Sequence, residues 1–404
     1  MLDSMIGRGP LSGLPDPDEV TELLDQGYTL PAEFYTDERI AQLEDYWMWQ
    51  RLWRPIGIVH ELKEVGDYLT AKVGSVPVVV VRGSDGELRA FVNICRHRMH
   101  IVARGQSGNR KTLQCIYHGW TYGLDGCLRA IPRAEEGEIE FDEFGLVPAA
   151  VDTFKGVVYV SVEPREPLTS FLGEAPAIAE RMGYGWPFEA HEDWVRVEPT
   201  LFKQYRFPSN WKITVENAVE CYHCPTMHTH SFSSFFNVDP DGYSFNNYDR
   251  GIFHLANYTP ETAAKLGETR PHEPSFETAD FRFLFPYPNG MGIGTGNPEA
   301  SDVNLTVGIF PLGVHESLFF ESIAYRRAGA PEPEPTAFEL EQRQMLHETF
   351  MEDLEACGYI QDGLRSGKVR IGKTVPRSES NIRHYQRLWW ETIEPAFRDA
   401  AAVA

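Results

Sequence analysis

A chain of 404 residues, 42% hydrophobic and 12% aromatic, is long enough for two or three domains with buried cores and is not disordered in bulk. Its formal charge of -22 at pH 7 argues against nucleic acid or anionic membrane as a partner. No apolar run reaches the roughly 18 residues of a membrane span, and the N-terminal MLDSMIGRGPLSGLPDPDEV lacks the apolar core of a secretory signal.

Residues 1–35, rich in Gly, Pro and Asp, read as a loosely packed arm. Thr36 with acidic residues behind it predicts a helix over 36–52. From about Tyr68 the texture changes. YLTAKVG, VPVVVVRG, LRAFVNI, TLQCIY and GVVYVSV are short β-branched or aromatic runs, parted by turns at Ser84-Asp85-Gly86 and Asp125-Gly126. They predict a small antiparallel β domain over 54–163, after an arm and helix in 1–53. A larger domain over 164–404 begins with mixed connection and helix, then the strand-like VRVEPTLFKQYRF and a helix from Trp211 to Cys221. Strands are expected around Met291–Gly296, Asn304–Pro311 and Ser317–Arg327. APEPEP then punctuates the chain before a long helix, FELEQRQMLHETFMEDLEACGYIQDGL, and the last helix, SNIRHYQRLWWETIEPAF, is expected to end near Pro395. The fold class is therefore α+β.

Six cysteines in this length form no dense disulfide framework, so a reducing cytoplasm is expected, with thiols serving metals, catalysis or packing. Cys95-Arg96-His97 and Cys115-Ile116-Tyr117-His118 are two matched Cys–His pairs, each on the turn after an expected strand. Two thiolates and two imidazoles suit a 2Fe–2S cluster with Cys on one iron and His on the other, where neutral ligands raise the reduction potential. A structural zinc site is the rival, but zinc favours Cys-x2-Cys and His-x3-His spacing.

The second concentration of chemistry runs from Asn210-Trp211-Lys212 through Glu216, Glu220, His223 and His228. Helical spacing would put Glu216, Glu220 and His223 on one face, while His223 and His228 would approach a metal from a helix end broken near Pro225. Two His and one carboxylate leave open positions on Fe(II) for dioxygen and substrate. By residue type alone Glu352, Asp353, Glu355 and Asp362 are equal candidates for the carboxylate, and His230 competes with His228. A di-iron site would need a second Glu-x-x-His unit, which the chain lacks.

CRHRMHI and CIYHGWTYGLDGCLRAIP resemble the cluster-binding segments of the Rieske non-haem iron oxygenases, catalytic subunits of the ring-hydroxylating and choline- and carnitine-monooxygenase-like enzymes. Met99-His100, where many relatives carry Gly, and Ile116, where Pro is usual, depart from that pattern outside the ligands; Cys127 matches no ligand position and reads as a packing residue. The resemblance implies an antiparallel β Rieske domain ahead of a catalytic domain with a curved antiparallel sheet and helices. It implies a cluster on Cys95, His97, Cys115 and His118, and mononuclear iron on His223, His228 and Asp353. It also implies a homotrimer in which Glu220 bridges the cluster of one subunit and the iron of the next. Glu at that place, where many aromatic-ring dioxygenases have Asp, resembles the branch acting on amines. Asn217 is expected near the site.

The implied activity is hydroxylation, dihydroxylation or oxidative demethylation of a small organic substrate with O2. With no Gly-x-Gly-x-x-Gly after a strand, electrons from NAD(P)H must come through a separate flavin reductase, with or without a ferredoxin. Phe232, Phe235, Phe236, Tyr243 and Phe245 are candidates to line an apolar pocket for an aromatic ring or a quaternary ammonium. The alternatives are an electron carrier without oxygenase activity and a zinc-dependent hydrolase.

Overall fold

The computed structural model describes residues 13–135, 137–182, 194–196, 203–297, 301–327 and 337–402. The chain divides into two compact units, one built on Glu44–Phe171 and one gathering the residues before Glu44 with most of those after Phe171.

The smaller unit holds a seven-stranded antiparallel sheet, in the order Arg54–Ile58, Val157–Ser161, Pro148–Phe154, Leu88–Val92, Val76–Arg82, Asp67–Val73, Ser107–Asn109. The run Val78–Val81 is wholly buried because both faces of its strand are covered. Val79 and Val81 enter a core with Cys95, Cys115, Trp120 and Tyr122, whereas Val78 and Val80 enter one with Leu62, Leu69 and Val158. The expected strand TLQCIY shrinks to Leu113–Gln114, in a three-stranded sheet with Thr121–Tyr122 and Leu128–Ala130, because the chain turns away at Cys115. The helix expected over 36–52 is three pieces: Glu33–Thr36, Glu38–Glu44 and a π-helical turn at Asp45–Trp49. Asp37, not Thr36, starts the middle piece, its carboxylate accepting the Arg39 N–H at 2.8 Å.

The larger unit is built on an eight-stranded antiparallel sheet, in the order Trp194–Arg196, Glu316–Arg327, Ser301–Gly313, Gly290–Asn297, Phe281–Pro286, Gly251–Ala256, Tyr243–Tyr248, with Lys203–Phe207 also paired to Glu316–Arg327. This is the α+β architecture expected. VRVEPTLFKQYRF thus supplies two short strands to one partner. The helix expected from Trp211 to Cys221 stops at Ala218, so Glu220 lies beyond its end. The long helix spans Ala337–Arg365. The last helix, Ser380–Ala402, runs straight through Pro395. Trp389, Trp390, Ile393, Ala396 and Phe397 are buried on both sides of that proline, with Phe34 set among the rings at 5.4, 5.9 and 5.6 Å. That packing outweighs the roughly 3 kcal/mol an internal proline costs. Among the described residues, no helix is long and apolar enough to cross a membrane.

Candidate metal centres

The two Cys–His loops are close copies of one another. In the first, Cys95 N–H donates to the His100 carbonyl at 2.8 Å and Met99 N–H to the Cys95 carbonyl at 3.1 Å. In the second, Cys115 N–H donates to the Trp120 carbonyl and Gly119 N–H to the Cys115 carbonyl, both at 2.9 Å. Each loop reverses through a left-handed residue, Met99 at φ 54° and Gly119 at φ 77°. Both sulfurs are buried, and the His97 and His118 rings meet with centroids 4.6 Å apart, His97 stacked on Trp120 at 5.1 Å. The Tyr122 hydroxyl lies 3.2 Å from Cys95 Sγ and accepts the Arg96 N–H at 3.0 Å. Two buried cysteines and two imidazoles that meet one another, with a hydroxyl on one sulfur, fit a Rieske cluster, whose potential responds to such hydrogen bonds. Cys127, expected to pack, is instead exposed, since its turn carries it to the surface.

Met99 is 74% exposed, so its side chain contributes little packing to offset a left-handed backbone. Met99→Gly is therefore expected to stabilise the loop by about 1 kcal/mol, read as a higher midpoint for thermal loss of the cluster's visible absorbance. An unchanged or lower midpoint would show that the turn costs methionine nothing.

The second centre lies where the helix Trp211–Ala218 ends. Asn210 caps that helix with its side chain, bonded to Lys212 N–H at 3.0 Å, and ties it to the long helix through Gln361 Oε1 at 2.7 Å. Cys224–Met227 then forms a single helical turn that Pro225 begins rather than breaks. His223 and His228 flank this turn, and their Nε2 atoms come within 3.1 Å. Asp353, from the long helix, places Oδ1 3.1 Å from His228 Nε2 and 3.4 Å from His223 Nε2. These three side chains would hold a divalent ion, and a set of two His and one carboxylate would leave positions for other ligands.

The remaining imidazole nitrogens are also held. His223 Nδ1 bonds Glu220 Oε1, and Glu220 Oε2 accepts the Tyr222 and His223 N–H groups. His228 Nδ1 donates to Glu352 Oε2 at 2.6 Å, and Ser231 Oγ donates to the same oxygen at 2.6 Å. Both rings therefore turn Nε2 toward Asp353. Burial disfavours charge on His223, yet its bonds to Asp353 and Glu220 outweigh this and hold the imidazolium up to about 10. Burial likewise resists charge on Asp353, but the two histidines pull it down to about 2. Two imidazole nitrogens and one carboxylate oxygen converging at this spacing are a donor set that fits Fe(II).

The other candidates fall elsewhere. Glu216 turns away from the metal face to Tyr35 Oη at 2.7 Å and Gln386 at 3.1 Å, where burial pushes its carboxyl up to about 7. The face expected for Glu216, Glu220 and His223 does not exist, because the helix ends before Glu220. His230 is exposed, as are Glu355, bonded to Tyr359, and Asp362, near Arg365. Asn217 Nδ2 donates to Asp353 Oδ1 at 3.1 Å. Cys221 and Cys224 are joined in a disulfide across His223, against the expectation of free thiols; four residues of turn bring their Cα atoms to 5.0 Å. The bond commits Cys224 Sγ, which lies 3.9 Å from His223 Nε2.

A cavity opens beside these donors, walled by Phe207, Phe232, Tyr243, Phe281, Phe283, Phe319 and Phe350 together with Ile293 and Leu346. Of the five aromatic residues expected to line it, only Phe232 and Tyr243 do. Phe236 is core, stacked on Tyr258 at 5.3 Å; Phe235 packs toward Phe338; Phe245 packs behind Tyr243 at 4.8 Å. Phe281 and Phe283 were not anticipated, although their alternation within FRFLFP places both on one face of a strand.

Two family models match the chain: a Rieske [2Fe-2S] domain over residues 52–155 and the catalytic domain of the ring hydroxylating alpha subunit over 191–394. The chain belongs to the ring-hydroxylating alpha-subunit family, with a Rieske 2Fe–2S domain ahead of a mononuclear iron domain. It is 33% identical over 205 residues to the glycine betaine monooxygenase oxygenase subunit of Pseudomonas aeruginosa (strain UCBPP-PA14), covering 50% of this chain and 46% of that protein. The match therefore spans about half the length of that curated relative. The carnitine monooxygenase oxygenase subunit of Acinetobacter pittii (strain PHEA-2) is 27% identical over 385 residues, 92% of this chain and 96% of that one. In fold, the chain is similar to the quaternary ammonium Rieske monooxygenase CntA in complex with L-carnitine (TM-score 0.73, 24% identity, 95% and 99% of the two chains). It is also similar to naphthalene 1,2-dioxygenase from Rhodococcus sp. (TM-score 0.73, 18% identity, 93% and 97%).

Proposed function

We propose that this chain is a terminal oxygenase component that hydroxylates, dihydroxylates or oxidatively demethylates a small organic molecule. The observation that carries the reading is the triangle of His223 Nε2, His228 Nε2 and Asp353 Oδ1 beside an aromatic cavity, in a chain that also holds two Cys–His loops. In this reading His223, His228 and Asp353 hold the iron; Cys95, His97, Cys115 and His118 hold the cluster, within residues 54–163; and residues 164–404 house the iron, with 1–53 as an arm. Bound together, the two groups supply dioxygen activation and the electrons it consumes.

The protein's own residues set the conditions. Glu220 and Glu352 fix the imidazoles from behind, Asn217 orients the Asp353 carboxylate, and the aromatic walls keep water from the open side. Glu220 is also assigned to coupling the two metal sites between neighbouring subunits of a homotrimer. Electrons come from NAD(P)H through a separate flavin reductase, with or without a ferredoxin, at a cytoplasmic address. Among the described lining residues no Lys or Arg stands ready for a substrate carboxylate, which favours an aromatic or otherwise apolar substrate. A quaternary amine is the second reading, supported by ring faces that attract cations and by the relatives' substrates.

The test is iron and sulfide analysis with visible spectroscopy. Purified protein should be red-brown with a Rieske spectrum, and Cys115→Ala should abolish it. A colourless protein with stoichiometric zinc would sink the reading. Glu352→Ala should weaken iron binding by about 10–100-fold in chelator competition, with Glu352→Gln intermediate because its amide oxygen still accepts from His228 and Ser231. Unchanged affinity in Glu352→Ala would mean that His228 holds its orientation without it.

A further inference from the structure

We propose that the Cys221–Cys224 disulfide is a redox switch on the metal site: its reduction frees Cys224 as a fourth donor beside His223, His228 and Asp353 and closes the site around zinc. This rests on the reading of those three residues as the metal donors. The two cysteines bracket Tyr222 and His223, and their Cα atoms stand 5.0 Å apart. Cys224 Sγ lies 3.9 Å from His223 Nε2, and the donor atoms of His223, Cys224 and His228 all fall within 4.8 Å of one another. Both cysteines line the same cavity as His223, His228 and Asp353. They are otherwise buried, so a small reductant meets the bond from that cavity.

As half of a disulfide, Cys224 carries no charge and is a poor partner for a divalent ion. Cleavage by two equivalents of a thiol transfers two electrons and two protons. The Cys221–Cys224 bond breaks, a disulfide forms between the two attacking thiols, and each cysteine gains an S–H. Cys224 then gives up its proton to solvent as it binds the ion. Its place in the site does not depend on the disulfide. The Cys224 carbonyl accepts the His228 N–H at 3.0 Å and the Ser233 hydroxyl at 2.8 Å. The His223 carbonyl accepts the Thr226 and Met227 N–H groups at 3.0 and 2.9 Å. These bonds hold the turn on both sides of Cys224, so cleavage lets Sγ rotate without carrying the backbone away. Two imidazoles, a carboxylate and a thiolate make four protein donors, the number in a closed zinc site, and thiolate is a ligand that zinc favours. The oxidised pair leaves three donors and an open side for dioxygen and substrate. Thiol poise thus sets both the preferred metal and whether the site is open.

The test uses the full chain, purified in air and stripped of mononuclear metal by a mild chelator. One portion stays oxidised, and the other is reduced anaerobically with a water-soluble phosphine, which becomes its oxide as water supplies the oxygen and the two thiol protons. Alkylation and mass spectrometry count the two new thiols. Zinc and ferrous-iron affinities are read by chelator competition, and X-ray absorption at the zinc edge reports sulfur beside the ion. Reduction should raise the preference for zinc over iron by about tenfold or more and bring in one sulfur neighbour. Cys221→Ser, which frees Cys224, should show both properties without reductant. Cys224→Ser, which equally lacks the disulfide, should show neither, with or without phosphine. The buried thiol of Cys357 is present in both variants, so it cannot account for a difference between them. An unchanged preference on reduction, zinc with no sulfur neighbour, or like behaviour of the two serine variants would overturn the proposal. Free thiols at both positions in the air-purified protein would overturn it too. A wild type with no Rieske spectrum fails the oxygenase reading instead, while the two serine variants still decide the role of Cys224.

Discussion

Replacing His223 or Asp353 by alanine is expected to remove mononuclear iron and turnover while leaving the Rieske spectrum intact. The two donor sets share no residue, and they lie on separate units of the chain. The loss should exceed the roughly 100-fold at the upper end for outer-shell partners, because each change deletes a donor rather than its support. Geometry adds a second reason. His223 Nε2, His228 Nε2 and Asp353 Oδ1 are mutually 3.1–3.4 Å apart, so removing one leaves two donors facing an enlarged gap. Iron content, the visible spectrum and substrate-dependent oxygen uptake are the three measurements. Full iron and activity in Asp353→Ala would mean that the third donor is misassigned. Glu352 would then be the neighbour to test, since Glu355 and Asp362 are exposed and paired elsewhere.

Glu220→Ala is expected to keep both metals and a chemically reducible cluster while losing product formation by about 10–100-fold. Glu220 Oε1 bonds His223 Nδ1, and its other oxygen collects two backbone N–H groups of the same turn. The carboxylate therefore acts through His223 and not as a donor to the ion. In a single turnover of pre-reduced enzyme, oxidation of the cluster should slow sharply. Glu220→Gln should fall between alanine and wild type, because an amide keeps an acceptor oxygen for His223 but carries no charge. Loss of mononuclear iron in Glu220→Ala well beyond the roughly 10–100-fold weakening expected on removing a supporting carboxylate would make the residue a ligand. Normal cluster oxidation with normal product yield would reduce it to a cap on its own turn.

Much of the chemistry was legible before any fold was known, because it is local. Cys95 with His97 and Cys115 with His118 are fixed by short turns, and His223 and His228 are five residues apart on one stretch of chain. Interactions over so few residues are determined by the order of side chains. Asp353 was less accessible. It continues the stripe of Leu346, Thr349 and Phe350 at helical spacing, a pattern visible only once burial is known.

What only the tertiary structure decided depends on segments far apart in sequence. The helix after Trp211 ends before Glu220, so Glu216 is bound to Tyr35 and Gln386 instead of facing the metal. Pro395 is carried inside a helix by aromatic packing against Phe34. Glu352 meets His228 across 124 positions, and Asn381 meets His254 across 127. No pattern within a single segment encodes such contacts, because they exist only once separate elements have packed and water has been excluded from between them. The sequence by itself determined which candidate donors stand close together along the chain, because those spacings are local. Packing decided which way those side chains point and which carboxylates support them.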